Sequence, residues 1–410
     1  MALIKPFPCV RPIPELASAI AALPYDVYNR AEAKLAVQGD QDTFLRIDRP
    51  ETQFPDEQDM YADEVYQKAA EMLAGDIAAG KYVRDEARKY YVYELTMDGR
   101  SQTGIVAAAA VDDYLSGTIK RHENTLAAKE QDRIRHIDTL NAQTGPIFLA
   151  YRSDPVINEV VQRAKTQAPL YDFAAEDGIG HRVFEIAEPE EIRRIETAFA
   201  GIDSIYIADG HHRAASAVKV ALKRREAHPD YTGDEEFNFF LSVLFPDQEL
   251  KILDYNRVVR DLGGLAPEEF LQKVQQIFQV TLLTGDPRPQ EKGTFSMYLE
   301  DRWYQCEVRR EDRSDDPVAG LDVSLLQDLL LSPVLGIEDP KNDPRIDFVG
   351  GIRGLKELER RCHTDAKAAF AMYPTDISEL LSVADAGRLM PPKSTWFEPK
   401  LRSGLFIHEF

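Results

Sequence analysis

The feature that most constrains the fold is a short apolar run joined by a polar turn to an alanine-rich segment. Residues 204–208 (Ser-Ile-Tyr-Ile-Ala) predict a buried strand, and the alanine-rich stretch to about Glu226 predicts a helix. Residues 209–213 (Asp-Gly-His-His-Arg) form the turn between them. The first N–H groups of a helix have no partner within it and favour an anion. The turn therefore predicts an anion site, with the Arg213 guanidinium donating to phosphate or carboxylate oxygens.

Two interpretations of this turn stay open. In the functional one, Gly210 lets a phosphate approach the backbone, while Asp209 holds a divalent ion or takes a proton. In the structural one, Asp209 caps the helix and the histidines bond to local carbonyls. We favour the functional interpretation because capping explains only one residue of five. A transition-metal site at His211, His212 and Asp209 is less favoured, since adjacent residues on a turn rarely converge on one ion.

Net charge and cysteine content restrict the possible binding partners and cellular compartment of the protein. The chain has 410 residues and a net charge of −21, whereas binding to a nucleic-acid backbone needs clustered Lys and Arg. Three scattered cysteines, an odd number without metal-ligand spacing, are typical of a reducing cytoplasm. No apolar run is long enough to span a bilayer. We expect a cytoplasmic protein without nucleic-acid or membrane partners, and a homodimer is left open.

Strand and helix patterns alternate along the chain and predict an α/β protein of the mixed α+β kind. A hairpin is predicted over 90–108, where Asp98-Gly99 suits a primed two-residue turn. A strand with alternating faces is predicted at 43–48. The runs 237–245 and 249–259 predict a second antiparallel pair.

Two further polar clusters carry candidate chemistry. Residues 120–125 (Lys-Arg-His-Glu-Asn-Thr) supply an imidazole and a carboxylate for acid–base catalysis, or form a solvated loop. A predicted helix follows to about Gln143, with Lys129 and Arg133 one turn apart. Residues 393–395 (Lys-Ser-Thr) lie in a proline-braced loop that either closes over an anionic ligand or is a surface turn. No classical P-loop, dinucleotide fingerprint or nucleophile elbow is present.

These motifs together resemble a bacterial and archaeal family known as domain of unknown function 1015. The resemblance rests on 24–27 (Pro-Tyr-Asp-Val), 120–133, 209–213 and 390–395 (Met-Pro-Pro-Lys-Ser-Thr), which are spread over nearly the whole chain. Such a family brings no established activity.

A fainter resemblance is more informative about chemistry. Residues 10–14 (Val-Arg-Pro-Ile-Pro) and the turn at 209–213 are similar to the two ends of the ParB/sulfiredoxin-like fold. That superfamily includes partition proteins, sulfiredoxins and free-serine kinases, and holds nucleotide phosphates with a Gly-x-x-Arg turn. The resemblance implies phosphate contacts from Gly210, His212 and Arg213. The missing turn cysteine argues against sulfinic-acid repair, and the acidic chain without an evident helix-turn-helix weakens the partition-protein interpretation.

The domain expectation follows from this resemblance. Residues 1–260 would form a ParB/sulfiredoxin-like core with an inserted hairpin and helices. Residues 261–410 would form a C-terminal α/β region that completes the pocket, and whether this region is also a separate domain is left open.

The resemblance implies a serine-kinase-like phosphotransferase that uses ATP, ADP or CTP, with Mg²⁺, on a small hydroxylated metabolite. A ParB-like nucleotide-binding regulator, and a phosphatase or other hydrolase using the same anion site, are the alternatives. Candidate catalytic residues are Glu123, His122 and Asp209, the last also a metal ligand. Candidates for binding phosphate or nucleotide are Gly210, His211, His212, Arg213, Lys120, Lys129, Arg133, Lys393, Ser394 and Thr395. We expect Arg213, His122 or Glu123, and Lys393 to line one cleft.

Overall fold

The computed structural model describes all 410 residues, which fall into two compact units. Unit 1 comprises Met1–Leu250 and Pro399–Phe410, and unit 2 comprises Lys251–Glu398. The sequence places the boundary at 260/261 and leaves the C-terminus in the second region. The structure differs because the last strand of the chain pairs with two strands of the first unit.

Unit 1 contains the following strands and helices. The strands are β1 (Ile4–Lys5), β2 (Cys9–Pro12), β3 (Tyr82–Arg84), β4 (Tyr90–Met97), β5 (Arg100–Ala110), β6 (Ile119–Lys120), β7 (Ala142–Gln143), β8 (Ile147–Tyr151), β9 (Tyr171–Ala174), β10 (Gly180–Ile186), β11 (Ile205–Asp209), β12 (Phe239–Pro246) and β21 (Ile407–Glu409). The helices are α1 (Ala17–Ile20), α2 (Arg30–Gly39), α3 (Leu45–Asp48), α4 (Asp63–Ala78), α5 (Val111–Ser116), α6 (Ala127–Leu140), α7 (Pro155–Ala164), α8 (Pro189–Ala200) and α9 (His211–Ala227).

A nine-stranded mixed sheet forms the centre of unit 1. Its order is β6-β11-β8-β12-β5-β4-β10-β9, with β1 also paired to β5. The pairs β6–β11 and β8–β12 are parallel, and the others are antiparallel. A smaller antiparallel sheet has the order β3-β2-β21-β7. The predicted mixed α+β class is therefore confirmed.

The hairpin predicted at 90–108 is the pair β4–β5. Asp98 and Gly99 both have positive φ, 52° and 78°, as a primed two-residue turn requires. This geometry matches the right-handed twist of the strands on either side. Local sequence was sufficient here because the turn residues themselves set the register.

One strand prediction and one pairing prediction are wrong. Residues 45–48 form the short helix α3, in which the N–H groups of Ile47 and Asp48 donate to the carbonyl of Phe44. Phe44, Leu45 and Ile47 are all buried, so the run has no alternating faces. The segment after β12 does not pair with it, because both edges of β12 are taken by β5 and β8.

Unit 2 is a separate antiparallel structure. Its strands are β13 (Ile252–Leu253), β14 (Tyr255–Val259), β15 (Gln279–Leu282), β16 (Thr294–Leu299), β17 (Arg302–Glu307), β18 (Ile346–Gly350), β19 (Ala368–Met372) and β20 (Trp396–Phe397). Six of them form a sheet in the order β15-β17-β16-β19-β14-β18, and β13 pairs with β20. The helices are α10 (Pro267–Ile277), α11 (Asp322–Leu326), α12 (Ser332–Leu335), α13 (Leu355–Thr364) and α14 (Ile377–Asp385), with a π-helical turn at Gln327–Leu331. None of the protein's helices has the length and apolar character needed to cross a bilayer.

Candidate functional site

Two of the polar clusters come from the same edge of the nine-stranded sheet. Strands β6 and β11 are parallel neighbours, with Tyr206 opposite Lys120, so their carboxyl ends meet. The cluster 120–125 continues from β6, and the turn 209–213 continues from β11. The amino end of β8 lies at this edge too, because β8 runs antiparallel to β11. Strand order therefore brings together clusters that are far apart in sequence.

The start of α9 has no side-chain cap. Gly210, and not Asp209, is the residue at the N-cap position, with φ 91° and ψ 31°, and it has no side chain to form a capping bond. The capping interpretation of Asp209 is therefore wrong. This left-handed backbone conformation is favourable only for glycine. The Asp209 carboxylate just before this start accepts a hydrogen bond from the backbone of Gly210, and α9 has no capping bond from its N-cap residue.

The two histidines of the turn bind the neighbouring loop. The backbone N–H of His122 donates to His211 Nε2 at 3.5 Å, and that of Leu126 donates to His212 Nε2 at 3.0 Å. The rings of His122 and His211 pack edge to face, with centroids 4.5 Å apart. In these bonds the histidines accept from backbone N–H groups, whereas the structural interpretation had them bond to local carbonyls. They hold residues 122–126 at the start of α9.

His122 and His211 are both neutral at pH 7. Burial lowers the pKa of His122 to about 4, against the opposing charge of Asp209. Burial likewise lowers the pKa of His211 well below its usual value, and the neighbouring His122 adds to the effect. Because His211 Nε2 accepts a hydrogen bond, its proton is on Nδ1, which lies 3.9 Å from Glu123 Oε2. His122 Nδ1 is buried and has no hydrogen-bond partner.

Asp209 is held between two cations. Its Oδ2 lies 3.3 Å from Arg213 Nη2 and 3.8 Å from Lys400 Nζ. Burial by itself would raise the pKa of Asp209, but Lys400 and Arg213 outweigh it and the pKa is lowered. Asp209 is therefore a carboxylate at pH 7 and a weak proton acceptor.

Arg213 is a buried, oriented guanidinium. Its Nη1 donates to the carbonyl of Pro146 at 2.6 Å, in addition to the bond from Nη2 to Asp209. An added Cβ at Gly210 would come within 3.1 Å of Nε and Nη2 of Arg213, whereas one at Gly145 would make an ordinary contact of 3.7 Å with Nη1. Gly210 therefore leaves the space that the guanidinium fills.

Two cavities of unit 1 share Tyr25 and Arg133. The inner cavity has a volume of about 30 Å³ and is lined on one side by Arg213 and on another by Asp48 and His136. The tyrosine pocket has a volume of about 190 Å³. Its lining residues are Tyr25, Asp26, Tyr28, Arg49, Pro50, Glu51, Met60, Tyr61, Tyr66, Lys129, Asp132 and Arg133.

Arg133 lines both cavities and is fixed by three contacts. Its Nε donates to Asp132 Oδ2 at 2.9 Å, and its Nη1 donates to the carbonyl of Asp48 at 3.4 Å. Its guanidinium also stacks on Tyr25, 4.0 Å from the ring centroid. Such a contact between a cation and an aromatic face is strengthened by burial. Arg133 and Arg213 thus present two buried positive charges to one cavity.

The structure brings together some predicted site residues and leaves others separate. His122, Glu123, Asp209, Gly210, His211, His212 and Arg213 gather at the start of α9, and Lys129 and Arg133 line the tyrosine pocket. Lys120 Nζ lies 5.8 Å from the centroid of the Tyr206 ring. His122 and Glu123 do not line the inner cavity beside Arg213.

The predicted residues 393–395 belong to unit 2. Ser394 Oγ donates to the carbonyl of Pro391 at 2.6 Å, and Thr375 Oγ1 donates to the carbonyl of Ser394 at 3.0 Å. Lys393 is exposed and has a positive φ of 60°. A single cleft shared by Lys393 and Arg213 stays a prediction.

Several site residues were missed at the level of sequence. Asp48 was hidden by the wrong strand prediction at 43–48, Arg49 was assigned to a surface loop, and Lys400 returns from the far end of the chain. Tyr25 lies in the Pro-Tyr-Asp-Val motif, but nothing in that motif indicates its contact with Arg133. The only sequence feature that pointed to Lys400 was the set of prolines in the segment that leads to it.

No group of three or more His, Cys, Asp or Glu side chains is arranged to hold a metal ion. Asp209, the predicted ligand, already has two cations at its Oδ2. A magnesium ion at this edge would therefore need the phosphates of a nucleotide for several of its ligands.

Fold and site together define a mixed α+β protein with buried cations beside an uncapped helix start. The chain belongs to the family described as "Protein of unknown function (DUF1015)", whose model matches residues 4–324. This confirms the first resemblance seen in the sequence. A search of curated proteins found no match.

Several solved structures are similar in fold. They include SbnI with C-terminal truncation from Staphylococcus aureus, at 13% identity and TM-score 0.37, covering 73% of this chain and 87% of that chain. A free serine kinase in complex with AMP has 12% identity and TM-score 0.34, covering 73% of this chain and 91% of that chain. A conserved hypothetical protein from Pyrococcus furiosus has 13% identity and TM-score 0.33, covering 74% and 94%. Similarity at this level carries no argument about activity.

Proposed function

We propose that the chain binds a nucleoside phosphate at the start of α9 and transfers a phosphoryl group to a small hydroxylated metabolite. The observation that carries this proposal is the pairing of an uncapped helix start with two buried guanidinium groups, Arg213 and Arg133, on one cavity. Backbone N–H groups and arginines are the donors that proteins use for phosphate oxygens.

Phosphoryl transfer needs mainly positioned positive charge, and the site supplies it. The transferred group passes through a transition state with charge spread over its oxygens, so fixed cations and dipoles lower the barrier. Arg213 is fixed by the Pro146 carbonyl, and Arg133 by Asp132 and Tyr25. Buried charges act more strongly on a phosphate than exposed ones, because water screens them less.

Glu123 is the favoured general base. Its side chain is 43% exposed and lies near the neutral His211, whereas Asp209 is engaged by Arg213 and Lys400. In the proposed step the Glu123 carboxylate takes the proton of the substrate hydroxyl, whose oxygen then attacks the terminal phosphorus. The bond from that phosphorus to the nucleotide breaks, and the shortened nucleotide leaves. Asp209 orients the cations, and Mg²⁺ would arrive with the nucleotide.

The first experiment incubates the purified protein with ATP, ADP or CTP, Mg²⁺ and a panel of hydroxylated metabolites. Calorimetry measures nucleotide binding, and ³¹P NMR detects phosphorylated product. We expect binding and one new phosphate monoester. Absence of nucleotide binding overturns the proposal, and binding with slow hydrolysis but no monoester indicates the regulator. Phosphate release from monoesters without nucleotide indicates the hydrolase.

Paired variants separate binding from turnover. Arg213→Ala should weaken nucleotide binding about 10- to 100-fold, the loss expected for one charged hydrogen bond. Glu123→Gln should reduce turnover and leave affinity nearly unchanged, because it removes only the proton acceptor. Lys223→Ala, at an exposed position near the other end of α9, is the control and should change neither. If Arg213→Ala and Glu123→Gln lose nucleotide binding and turnover equally, and in proportion to their loss of folding stability, the assigned roles are wrong.

A further inference from the structure

The lining of the tyrosine pocket is aromatic and electrically balanced. Four of its residues are tyrosines, namely Tyr25, Tyr28, Tyr61 and Tyr66. Its carboxylates and its cations are equal in number, and they are Asp26, Glu51 and Asp132 against Arg49, Lys129 and Arg133. Such a lining has no net positive charge with which to select a phosphate. The pocket therefore suits an uncharged group with flat faces.

One tyrosine ring of the pocket is open to a ligand. The guanidinium groups of Arg133 and Arg135 already lie over the rings of Tyr25 and Tyr66, 4.0 and 4.5 Å from the centroids. The Tyr61 ring has no aromatic or cationic partner, and the residue is 48% exposed. Nucleobases stack on aromatic faces of this kind.

A buried carboxylate of the pocket has one oxygen without a hydrogen bond. Glu51 is 3% exposed, and its Oε1 accepts from Arg49 Nε at 2.6 Å, whereas its Oε2 accepts from no protein group. Arg49 also donates to the carbonyls of Tyr25 and Tyr28, at 2.9 and 2.6 Å, which fixes the ion pair beside the tyrosines. A carboxylate oxygen is an acceptor, and it is costly to bury one without a donor. A ligand that donates an N–H group would satisfy Oε2.

The pocket has room for an aromatic ring system. Its volume of about 190 Å³ is more than ten times the volume of about 10–15 Å³ that a single water needs. Arg133 lines this pocket and also the inner cavity that holds Arg213. A group in the tyrosine pocket can therefore be continuous with phosphates bound beside Arg213.

We propose that the tyrosine pocket binds the base of the nucleotide and selects bases with an exocyclic amino group, such as adenine and cytosine, through Glu51. The amino group would donate to Glu51 Oε2, and the base would stack on Tyr61. A carbonyl oxygen at the same position, as in hypoxanthine and uracil, has no proton to donate and is repelled by the carboxylate. This inference rests on the proposed binding of a nucleoside phosphate and adds the class of base.

The experiment titrates the purified full chain with two matched pairs of nucleosides and measures each dissociation constant by ligand-observed NMR. The pairs are adenosine with inosine and cytidine with uridine, and in each pair a carbonyl oxygen replaces the amino group. Adenosine and cytidine should bind about 10- to 100-fold more tightly than their partners, the loss expected for one hydrogen bond to a charged group. Equal affinities within both pairs, or ribose binding as tightly as adenosine, would overturn the proposal.

Nucleosides carry no phosphate, so the base site and the proposed phosphotransferase fail separately. If adenosine shows the expected preference but ATP binds no more tightly than adenosine, the base site stands and the phosphate site is overturned. If ATP and ITP bind equally, and both more tightly than adenosine, the phosphate site stands and the base preference is overturned. If neither adenosine nor ATP binds, both proposals are wrong.

Variants of Glu51 and Tyr61 test the two contacts. Glu51→Gln should abolish the preference for adenosine over inosine, because an amide donates as well as accepts. Glu71→Gln, at an exposed position on α4 outside the pocket, is the matched control and should keep the preference. Tyr61→Ala should weaken adenosine and inosine alike by about fivefold or more, and Tyr61→Phe, which keeps the ring, should recover most of that loss.

The variants also show how the assignment would fail. A preference that survives in a folded Glu51→Gln protein would overturn the role of Glu51. If Glu51→Gln does not fold, the half-exposed Tyr61 carries the test. Equal adenosine affinity in Tyr61→Ala and wild type would then place the base outside the tyrosine pocket and overturn the proposal.

Discussion

Substitution of Gly210 by alanine tests the geometry on which the proposed anion site depends. Gly210 has φ 91°, and an added Cβ would lie 3.1 Å from Nε and Nη2 of Arg213. The left-handed backbone costs an alanine about 1–2 kcal/mol. Arg213 cannot swing away without breaking its 2.6 Å bond to Pro146, so crowding adds about 1–3 kcal/mol. The expected loss of folding stability is therefore about 2–5 kcal/mol.

Gly80 provides the matched control for this substitution. It has a positive φ of 78°, and an added Cβ would meet nothing within 4 Å. Gly80→Ala should therefore show the backbone cost alone, about 1–2 kcal/mol. The effect of alanine on the unfolded chain is the same at both positions and cancels in the comparison.

Urea unfolding of Gly210→Ala in wild-type and Arg213→Ala backgrounds completes the cycle. Without the Arg213 side chain the crowding disappears, so Gly210→Ala should there cost no more than Gly80→Ala. The coupling between the two positions should be about 1–3 kcal/mol. The reasoning is refuted if Gly210→Ala costs the same in both backgrounds, or if it costs no more than Gly80→Ala in wild type.

Three further predictions concern stability and local order. Because the pKa of His122 is about 4 when folded and near 6.5 when unfolded, the unfolded state binds more protons between these values, so folding stability should decrease as the pH falls from about 6.5 to about 4. His122→Gln should remove up to about 1.4 kcal/mol per pH unit of that slope in urea titrations. His212→Leu should speed hydrogen exchange at the Leu126 amide with little change in global unfolding; an unchanged exchange rate would contradict the loop contact. Gly104→Ala should destabilise the protein by about 1–3 kcal/mol, because the added Cβ would come within 3.0 Å of atoms of β12. Gly75→Ala, at an exposed position on α4, should instead stabilise the protein by about 0.5–1 kcal/mol. Calorimetric melting temperatures that rank the two variants the other way would refute this account of packing.

Sequence alone was sufficient where structure is set by near neighbours. The strand β11, the turn at 209–213 and the helix α9 were predicted in order, because apolar period and helix propensity are local properties. The hairpin β4–β5 was predicted for the same reason, since Asp98 and Gly99 determine their own turn. The residue types of the anion site were likewise visible as a cluster.

Sequence was insufficient where a segment's structure depends on distant partners. The alternating pattern at 43–48 suited a strand, but tertiary burial of Phe44, Leu45 and Ile47 favoured a short helix. The run 249–259 matched a hairpin with β12, yet β12 finds both partners elsewhere in the sheet. The hydrophobic period of a segment indicates which of its residues are buried, but it does not indicate which element packs against them.

The sequence by itself determined that a glycine, two imidazoles and a guanidinium stand at the start of one helix. Only the tertiary structure decided what they do: His211 and His212 accept backbone N–H groups from residues 122–126, and Arg213 is oriented by the Pro146 carbonyl. The physical reason is distance along the chain. These contacts join residues that are 67 to 89 positions apart, and the parallel pairing of β6 with β11 brings the loop to the turn.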